Sequence, residues 1–273
     1  MSPNPPPLPP LLLIGGGKMG AAMLAGWRER GISRVVVVDP GPDAASLAGH
    51  GVDIIAAITD LAADFTPQAV ILAVKPQVAP EAIPALAKFA GTAVFVSIMA
   101  GRTLGWLAGL LGPGTAIIRA MPNTPAAIRQ GITIACAGPG VAQDQHELAE
   151  ALLTAVGQIE FVTDETLLDV VTAVSGGGPA YVFLLTELLA DAAIEQGIPP
   201  DLARRLARQT VIGSAALLAA SAEPPSALRR AVTSPKGTTE RALAVLMAKQ
   251  AWPEAISNAI AAATERSREL ARE

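Results

Sequence analysis

A short apolar run that stops in glycines constrains this chain more than any other stretch. Leu11-Leu12-Leu13-Ile14 runs directly into Gly15-Gly16-Gly17-Lys18-Met19-Gly20. Four consecutive apolar residues read as a strand buried on both faces, as in a parallel sheet. Met23, Leu24 and Trp27 recur at helical spacing, which predicts a helix from Met19 to about Arg30. Gly15, Gly17 and Gly20 satisfy G-x-G-x-x-G. In that pattern the first glycine permits a tight turn, the second lets a pyrophosphate approach the backbone, and the third lets helix and strand pack closely. The N–H groups and positive dipole of the helix start then hold phosphates. The same glycines also describe a plain turn beside a core strand, and the next strand separates the two readings. Val35-Val36-Val37-Val38 ends in Asp39, about twenty residues on, where a dinucleotide fold places an acid on the adenosine ribose.

The pattern continues. A turn at Pro40-Gly41-Pro42 and a short helix to about Gly49 precede expected strands at Asp53–Ile55, Ala69–Val74, Ala93–Ser97 and Thr115–Arg119, with helices at Val78–Phe89 and Thr103–Leu111. Such alternation predicts an α/β domain with a doubly wound parallel sheet. Its ligand then lies at the carboxyl ends of the strands, where Gly15, Asp39, Lys75, Ala100-Gly101 and Met121–Pro125 fall. Gly131–Ala137 and Gln158–Val162 extend the sheet at its edge. Beyond Thr163 only helices are expected: Val170–Val174, Ala180–Glu195, Asp201–Ala220, Ser226–Ala231, Thr238–Lys249 and Pro253–Ala271. The chain therefore divides into a disordered Pro-rich tail (1–9), a Rossmann-type dinucleotide-binding domain (10–162) and an all-helical domain (163–273). The helix after Pro179 is apolar on most faces, through Val182, Phe183, Leu184, Leu188 and Leu189. It is either the central helix of a monomeric bundle or, as preferred here, a helix shared with a second subunit in a homo-oligomer.

Other functions are set aside on composition. With 51% hydrophobic but 3% aromatic residues, the core is built mainly from Ala, Val, Leu and Ile. A net charge of −4 with both signs scattered argues against nucleic acid or an anionic membrane as partner. No apolar run approaches the roughly 18 residues of a membrane span, and the six prolines of Met1–Pro10 carry no positive n-region. A lone Cys136, read as a small core residue, fits a reducing compartment. A cytoplasmic protein is expected. The two histidines, His50 and His146, stand in separate segments and read as exposed helix residues, so a metal site or a Ser-His-acid triad lacks parts. The acids are dispersed on polar helix faces, with no paired carboxylates for glycoside chemistry.

Hydride transfer remains, in which a cofactor supplies reactivity and the protein supplies position and electrostatics. The helical half offers Val232-Thr233-Ser234-Pro235-Lys236-Gly237-Thr238-Thr239-Glu240. Ser234 is expected as N-cap with Pro235 at the first helical position. Gly237, Thr238 and Thr239 then present N–H groups and hydroxyls suited to a small carboxylate. Taken alone, the segment is better described as an ordinary capped helix, and its surplus of small hydroxyl residues is what keeps the site reading.

Five segments together resemble the pyrroline-5-carboxylate reductase family. They are Ile14–Met19, Ala73-Val74-Lys75-Pro76-Gln77, Arg119-Ala120-Met121-Pro122-Asn123-Thr124-Pro125, Ala173–Tyr181 and Thr233–Thr239. The resemblance runs from Leu11 through nearly all of the chain. It implies a Rossmann domain followed by a helical domain that dimerises by interleaving, often into larger assemblies. It also implies reduction of 1-pyrroline-5-carboxylate to L-proline, the last step of proline synthesis. By position, Ser234, Gly237, Thr238 and Thr239 would hold the substrate carboxylate and ring nitrogen. Thr239 matches the family threonine beside the imine nitrogen, where a donor to the neutral nitrogen pushes the imine toward the protonated form that accepts hydride readily. Lys18, Met19 and Val74 would join the cofactor site, and Lys75, Pro76, Asn123 and Thr124 its nicotinamide end.

Three positions depart from the family pattern. Lys18 replaces an Asn, Gly177 a Ser, and Lys236 the first Gly of Ser-Pro-Gly-Gly. Asp39 would bond the ribose of NADH and repel the 2′-phosphate of NADPH, and no Lys or Arg lies between Asp39 and Asp60 to receive that phosphate. The reading leans to NADH, with NADPH left open through Lys18 or Arg34. A general imine reductase, a related dehydrogenase of the same two-domain plan, or a non-catalytic dinucleotide sensor stays as an alternative. The hydroxyacid dehydrogenases use an early lysine of the second domain, and this chain has none between Lys88 and Lys236.

Overall fold

The computed structural model describes residues 7–272, which fall into two compact units divided between Gly176 and Gly177, the end of the chain from Ala263 returning to the first. The first begins β1 (Leu11–Ile14), α1 (Lys18–Arg30), β2 (Val35–Val38), β3 (Val52–Ile55) and β4 (Ala69–Leu72). It continues through α2 (Ala79–Ala82), β5 (Val94–Ser97), α3 (Leu104–Leu111), β6 (Ile117–Met121), β7 (Gly131–Ala137), α4 (Gln143–Thr154), β8 (Gly157–Val162) and α5 (Leu167–Val171). One eight-stranded sheet runs β3-β2-β1-β4-β5-β6-β7-β8. Its neighbours pair in parallel except β6 with β7. The strand order reverses beside β1, between β2 and β4, so the crevice that receives ligands in open α/β sheets lies there.

Alternate residues of each strand feed opposite faces. Leu11 and Leu13 pack with Met23, Leu24 and Trp27 of α1 and Leu152 of α4. Leu12 and Ile14 join Ile83, Leu86, Leu107 and Leu111 on the other face. The buried Trp27 Nε1 donates to the Leu152 carbonyl at 2.9 Å, satisfying the one polar atom that would oppose its burial.

Several expectations shift. The helix expected over Val78–Phe89 breaks into α2 and a 3₁₀ turn at Pro84–Phe89, because a proline offers no N–H and crowds the preceding turn. The segment after Gly41 is likewise 3₁₀, Pro42–Leu47. The sixth strand ends at Met121 rather than Arg119, which carries both residues along the sheet. Of the tail expected over 1–9, residues 1–6 lie outside the described residues, and Leu8 is buried and bridges to Ile32. Its N–H donates to Gly31 and its carbonyl accepts from Ser33, each at 2.9 Å. Flanking prolines hold a chain extended, which is the conformation such pairing needs.

The second unit comprises α6 (Gly178–Glu195), α7 (Pro200–Ala220), α8 (Pro225–Ala231), α9 (Thr238–Leu246) and the start of α10 (Trp252–Arg272). Helix α6 packs on α7, yet among the described residues the unit's buried side chains are only Ala190, Ala203 and Ala207. Phe183 is 64% and Leu188 57% exposed. A central helix of a monomeric bundle would be covered, and α6 is not. Covering each such side chain contributes about 1.5–3 kcal/mol, which a second copy seated on α6 would supply. The helical run Leu167–Glu195, 29 residues, is long and apolar enough by length and composition to cross a membrane, contrary to the count of uninterrupted apolar residues. Acids such as Glu187 punctuate the run without making it polar, and a helix covered by another subunit meets the same test.

Candidate functional site

The glycine turn is dictated by close approach. Gly15 adopts φ +99°, and a Cβ there would sit 2.7 Å from the Ala73 carbonyl oxygen at the end of β4. A Cβ on Gly20 would lie 2.2 Å from the Gly15 carbonyl oxygen. Gly17, by contrast, faces open space, with nothing within 4 Å of a Cβ. It is the N-cap of α1, whose first turn has neither a side-chain cap nor an acid. Exposed Lys18 instead places a cation at the positive end of the helix, an arrangement that favours an anion there.

Asp39, at the end of β2, is fixed by its own loop. Its Oδ2 accepts from Gly16 N at 2.6 Å and its Oδ1 from Gly41 N at 2.7 Å. Each oxygen keeps a lone pair for a ligand hydroxyl. Arg34 does not reach this end. It precedes β2, pairs with Asp53 at 3.0 Å and lies over the Phe65 ring, so the strand's length separates it from Asp39.

At the carboxyl ends of β4, β5 and β6 a cleft of about 260 Å³ is lined by Met19, Ala73, Val74, Ile98, Met121–Thr124 and Gly176. It gathers four of the expected residues, Met19, Val74, Asn123 and Thr124. Lys75 and Pro76 follow β4 outside its walls, and Lys75 is exposed. Asn123 Oδ1 accepts from Ile132 N at 2.9 Å, which leaves its NH₂ as a donor. Ile98 and Gly176 were not singled out from the sequence. Ile98 carried the signal of directly following a strand, and Gly176 that of opening the Gly176-Gly177-Gly178-Pro179 run. Gly176 closes a π-helical turn, Thr172–Gly176, and such turns recur at functional sites.

In the second unit, Ser234 is not the cap of α9. The helix begins at Thr238 with Gly237 as N-cap, and Ser234-Pro235-Lys236-Gly237 is a tight turn closed by Gly237 N to the Ser234 carbonyl at 3.0 Å. Proline at the second position of a turn suits that geometry as well as it suits a helix start. A Cβ on Gly237 would lie 2.3 Å from Ser234 Oγ, so glycine there lets the serine fold over the turn. Glu240 Oε2 accepts from Lys236 N at 2.7 Å. Thr238 is exposed and Thr239 half-buried in the first turn.

Lys236 sits at φ +62°, a left-handed conformation that costs a non-glycine residue roughly 1–2 kcal/mol. Glycine's greater freedom in the unfolded chain offsets about 0.5–1 kcal/mol of that. Lys236→Gly is expected to raise the melting temperature by roughly 1–3 °C, read by calorimetry. A fall would show that the lysine side chain makes a compensating contact.

The remaining candidates also move. His50 is exposed in a turn rather than on a helix. His146 is on α4 but half-buried, its ring 3.9 Å from that of Phe161. Cys136 is buried, and its thiol pKa is raised chiefly by burial, then by Glu165, with Arg119 opposing. The acids are not all dispersed: Glu165 and Asp169 converge on the buried Arg119, at 2.9 and 3.9 Å. Their spacing of four places both on one face of a helical segment, a signal that pointed to no partner until the strand was in place.

A pyrroline-5-carboxylate reductase of Pseudomonas aeruginosa is 39% identical over 268 residues, 96% of this chain and 97% of that protein. The chain belongs to the pyrroline-5-carboxylate reductase family. The family model described as pyrroline-5-carboxylate reductase dimerisation matches residues 165–270, and that described as NADP oxidoreductase coenzyme F420-dependent matches 11–101. The solved pyrroline-5-carboxylate reductase of Coxiella burnetii superposes with TM-score 0.86 at 33% identity, over 95% of this chain and 97% of that one. A Plasmodium falciparum pyrroline carboxylate reductase solved with NADP bound gives TM-score 0.81 at 28% identity, over 96% and 97%. Within the family frame, the uncovered apolar α6 falls inside the dimerisation match. The lysine at position 236 stands at a backbone angle that explains why glycine suits that place.

Proposed function

We propose that the chain reduces the C=N bond of 1-pyrroline-5-carboxylate to L-proline with NAD(P)H, working as a homo-oligomer through its C-terminal helices. The match along nearly the whole chain to a pyrroline-5-carboxylate reductase carries this reading. The nicotinamide cofactor supplies the hydride. Gly15, Gly17 and Gly20, with Lys18 and Met19, receive the pyrophosphate on the uncapped start of α1. Val74, Lys75, Pro76, Asn123 and Thr124 serve the nicotinamide end. Ser234, Gly237, Thr238 and Thr239 hold the substrate, and the Thr239 hydroxyl donates to the ring nitrogen. The lone buried Cys136 needs no disulfide-forming compartment, which supports a cytoplasmic place of work.

Asp39 supports NADH over NADPH. Two unit charges about 4 Å apart repel by roughly 4 kcal/mol at an effective dielectric near 20, and the half-buried setting of Asp39 lowers that further through solvent. Asp39→Asn removes the charge and keeps one of the two loop acceptors, facing its NH₂ to the other N–H, so the ratio between cofactors is read rather than either rate alone. It is expected to raise the NADPH-to-NADH ratio of kcat/KM by about tenfold, equivalent to about 1.4 kcal/mol. The deciding assay follows absorbance at 340 nm with pyrroline-5-carboxylate and each cofactor separately. Oxidation of either establishes the reductase, and a ratio unmoved by Asp39→Asn removes Asp39 from cofactor choice. Silence with folded protein that binds dinucleotide would overturn the substrate assignment.

A further inference from the structure

The first unit contains a buried charge cluster that the proposed chemistry does not use. Arg119, in the middle of β6, is 4% exposed. Its Nη1 donates to Glu165 Oε1 at 2.9 Å, and its Nη2 lies 3.9 Å from Asp169 Oδ1. Both acids are held from a second side. Glu165 Oε1 also accepts from Leu104 N at the start of α3, at 2.8 Å, and Asp169 Oδ1 accepts from Ser267 Oγ at 2.8 Å. A guanidinium buried in a sheet is tolerated only with such partners, and its forked donors fix direction as well as charge.

The cluster ties together two segments that each contribute a residue to the cleft. Met121 follows Arg119 by two residues on the same face of β6 and lines the cleft at the strand end. Asp169 lies on α5, which runs directly into the π-helical turn ending at Gly176, a second lining residue of the cleft. The two segments touch there, since a Cβ on Gly176 would sit 2.8 Å from Met121 Cε, the end of a flexible side chain that packs on the glycine. Sliding α5 by one residue would break both ion pairs and move Gly176 off Met121.

We propose that Arg119, with Glu165 and Asp169, is a positioning residue: the buried ion pairs register the π-helical turn at Gly176 against Met121 and so set the cleft that receives the nicotinamide end of the cofactor. This rests on the cofactor placement proposed above. None of the three touches the cleft, so their effect is exerted through Met121 and Gly176.

Two readouts test it on the full-length protein with Asp169→Asn and Arg119→Lys. The first is binding, by calorimetry, of NAD⁺ against ADP-ribose, or of their 2′-phosphorylated counterparts if the wild type prefers those. ADP-ribose lacks the nicotinamide. The variants are expected to hold ADP-ribose as the wild type does and to lose the extra affinity for the whole dinucleotide by about three- to tenfold. The second is turnover, expected to fall at least tenfold with KM for the imine changed less than threefold. Leu107→Ala, a cavity in the core beneath α3, is the control that lowers the melting temperature without moving the affinity ratio. If Arg119→Lys does not fold, Asp169→Asn decides alone. An unchanged ratio and unchanged turnover in a folded variant overturn the inference and leave the cluster as a staple of the fold. A wild type that binds dinucleotide but never reduces the imine defeats the functional reading instead, and the affinity ratio still tests the positioning role.

Discussion

Replacing Thr239 by alanine is expected to lower turnover by about ten- to a thousandfold, some 1.4–4 kcal/mol of transition-state stabilisation. The hydroxyl lies in the first turn of α9, half-buried. Among the described residues no hydrogen bond from the chain itself holds it. Its loss therefore breaks no hydrogen bond in the fold, and alanine is the better helix former. The melting temperature and the affinity for the dinucleotide should stay close to those of the wild type. Thr239→Ser keeps the donor and should recover most of the rate. Unchanged turnover in the alanine variant would remove Thr239 from the mechanism, and equal losses in both variants would show that the methyl group matters rather than the hydroxyl.

The glycine loop separates fold from function in a second pair of variants. Gly20→Ala would place a carbon 2.2 Å from the Gly15 carbonyl oxygen, about 1 Å inside ordinary contact. Helix α1 must lift from β1, at a cost of at least about 1–3 kcal/mol. Both stability and dinucleotide binding are expected to collapse, with Kd rising about a hundredfold or more. Gly17→Ala meets nothing within 4 Å, and its φ of −61° and ψ of −174° suit alanine. The melting temperature should hold while the dinucleotide Kd rises about tenfold or more, because the new methyl occupies the approach of the pyrophosphate. Equal losses of stability in the two variants would contradict the geometry, and unaltered binding in Gly17→Ala would move the phosphates elsewhere.

Much of the first unit was legible from local patterns. The apolar quartets Leu11–Ile14 and Val35–Val38 are strands because four residues buried on both faces have no other economical arrangement, and their glycine and Asp39 endings mark one end of the sheet. The helix break at Pro84 is written in the residues as well, since a proline inside a helical run removes an N–H and crowds the turn before it. The cap of α9 was misplaced because Ser-Pro opens a turn and a helix with the same residues. What distinguishes them is the left-handed angle at Lys236, and nothing in the residue's identity announces it.

The sequence by itself determined most strands and helices, their order, the end of the sheet where the glycine turn lies and the apolar character of α6, since each follows from neighbours a few residues apart. Tertiary structure alone decided the rest. Arg119 found Glu165 and Asp169 across 46 and 50 positions of chain, Asn123 turned its carbonyl to Ile132, and Gly176 came to rest on Met121. Arg34 was drawn to Asp53 at the wrong end of its strand to meet a 2′-phosphate. Pairings of that kind depend on which strands lie side by side, and the energy that selects them is shared by the whole sheet rather than carried by any segment.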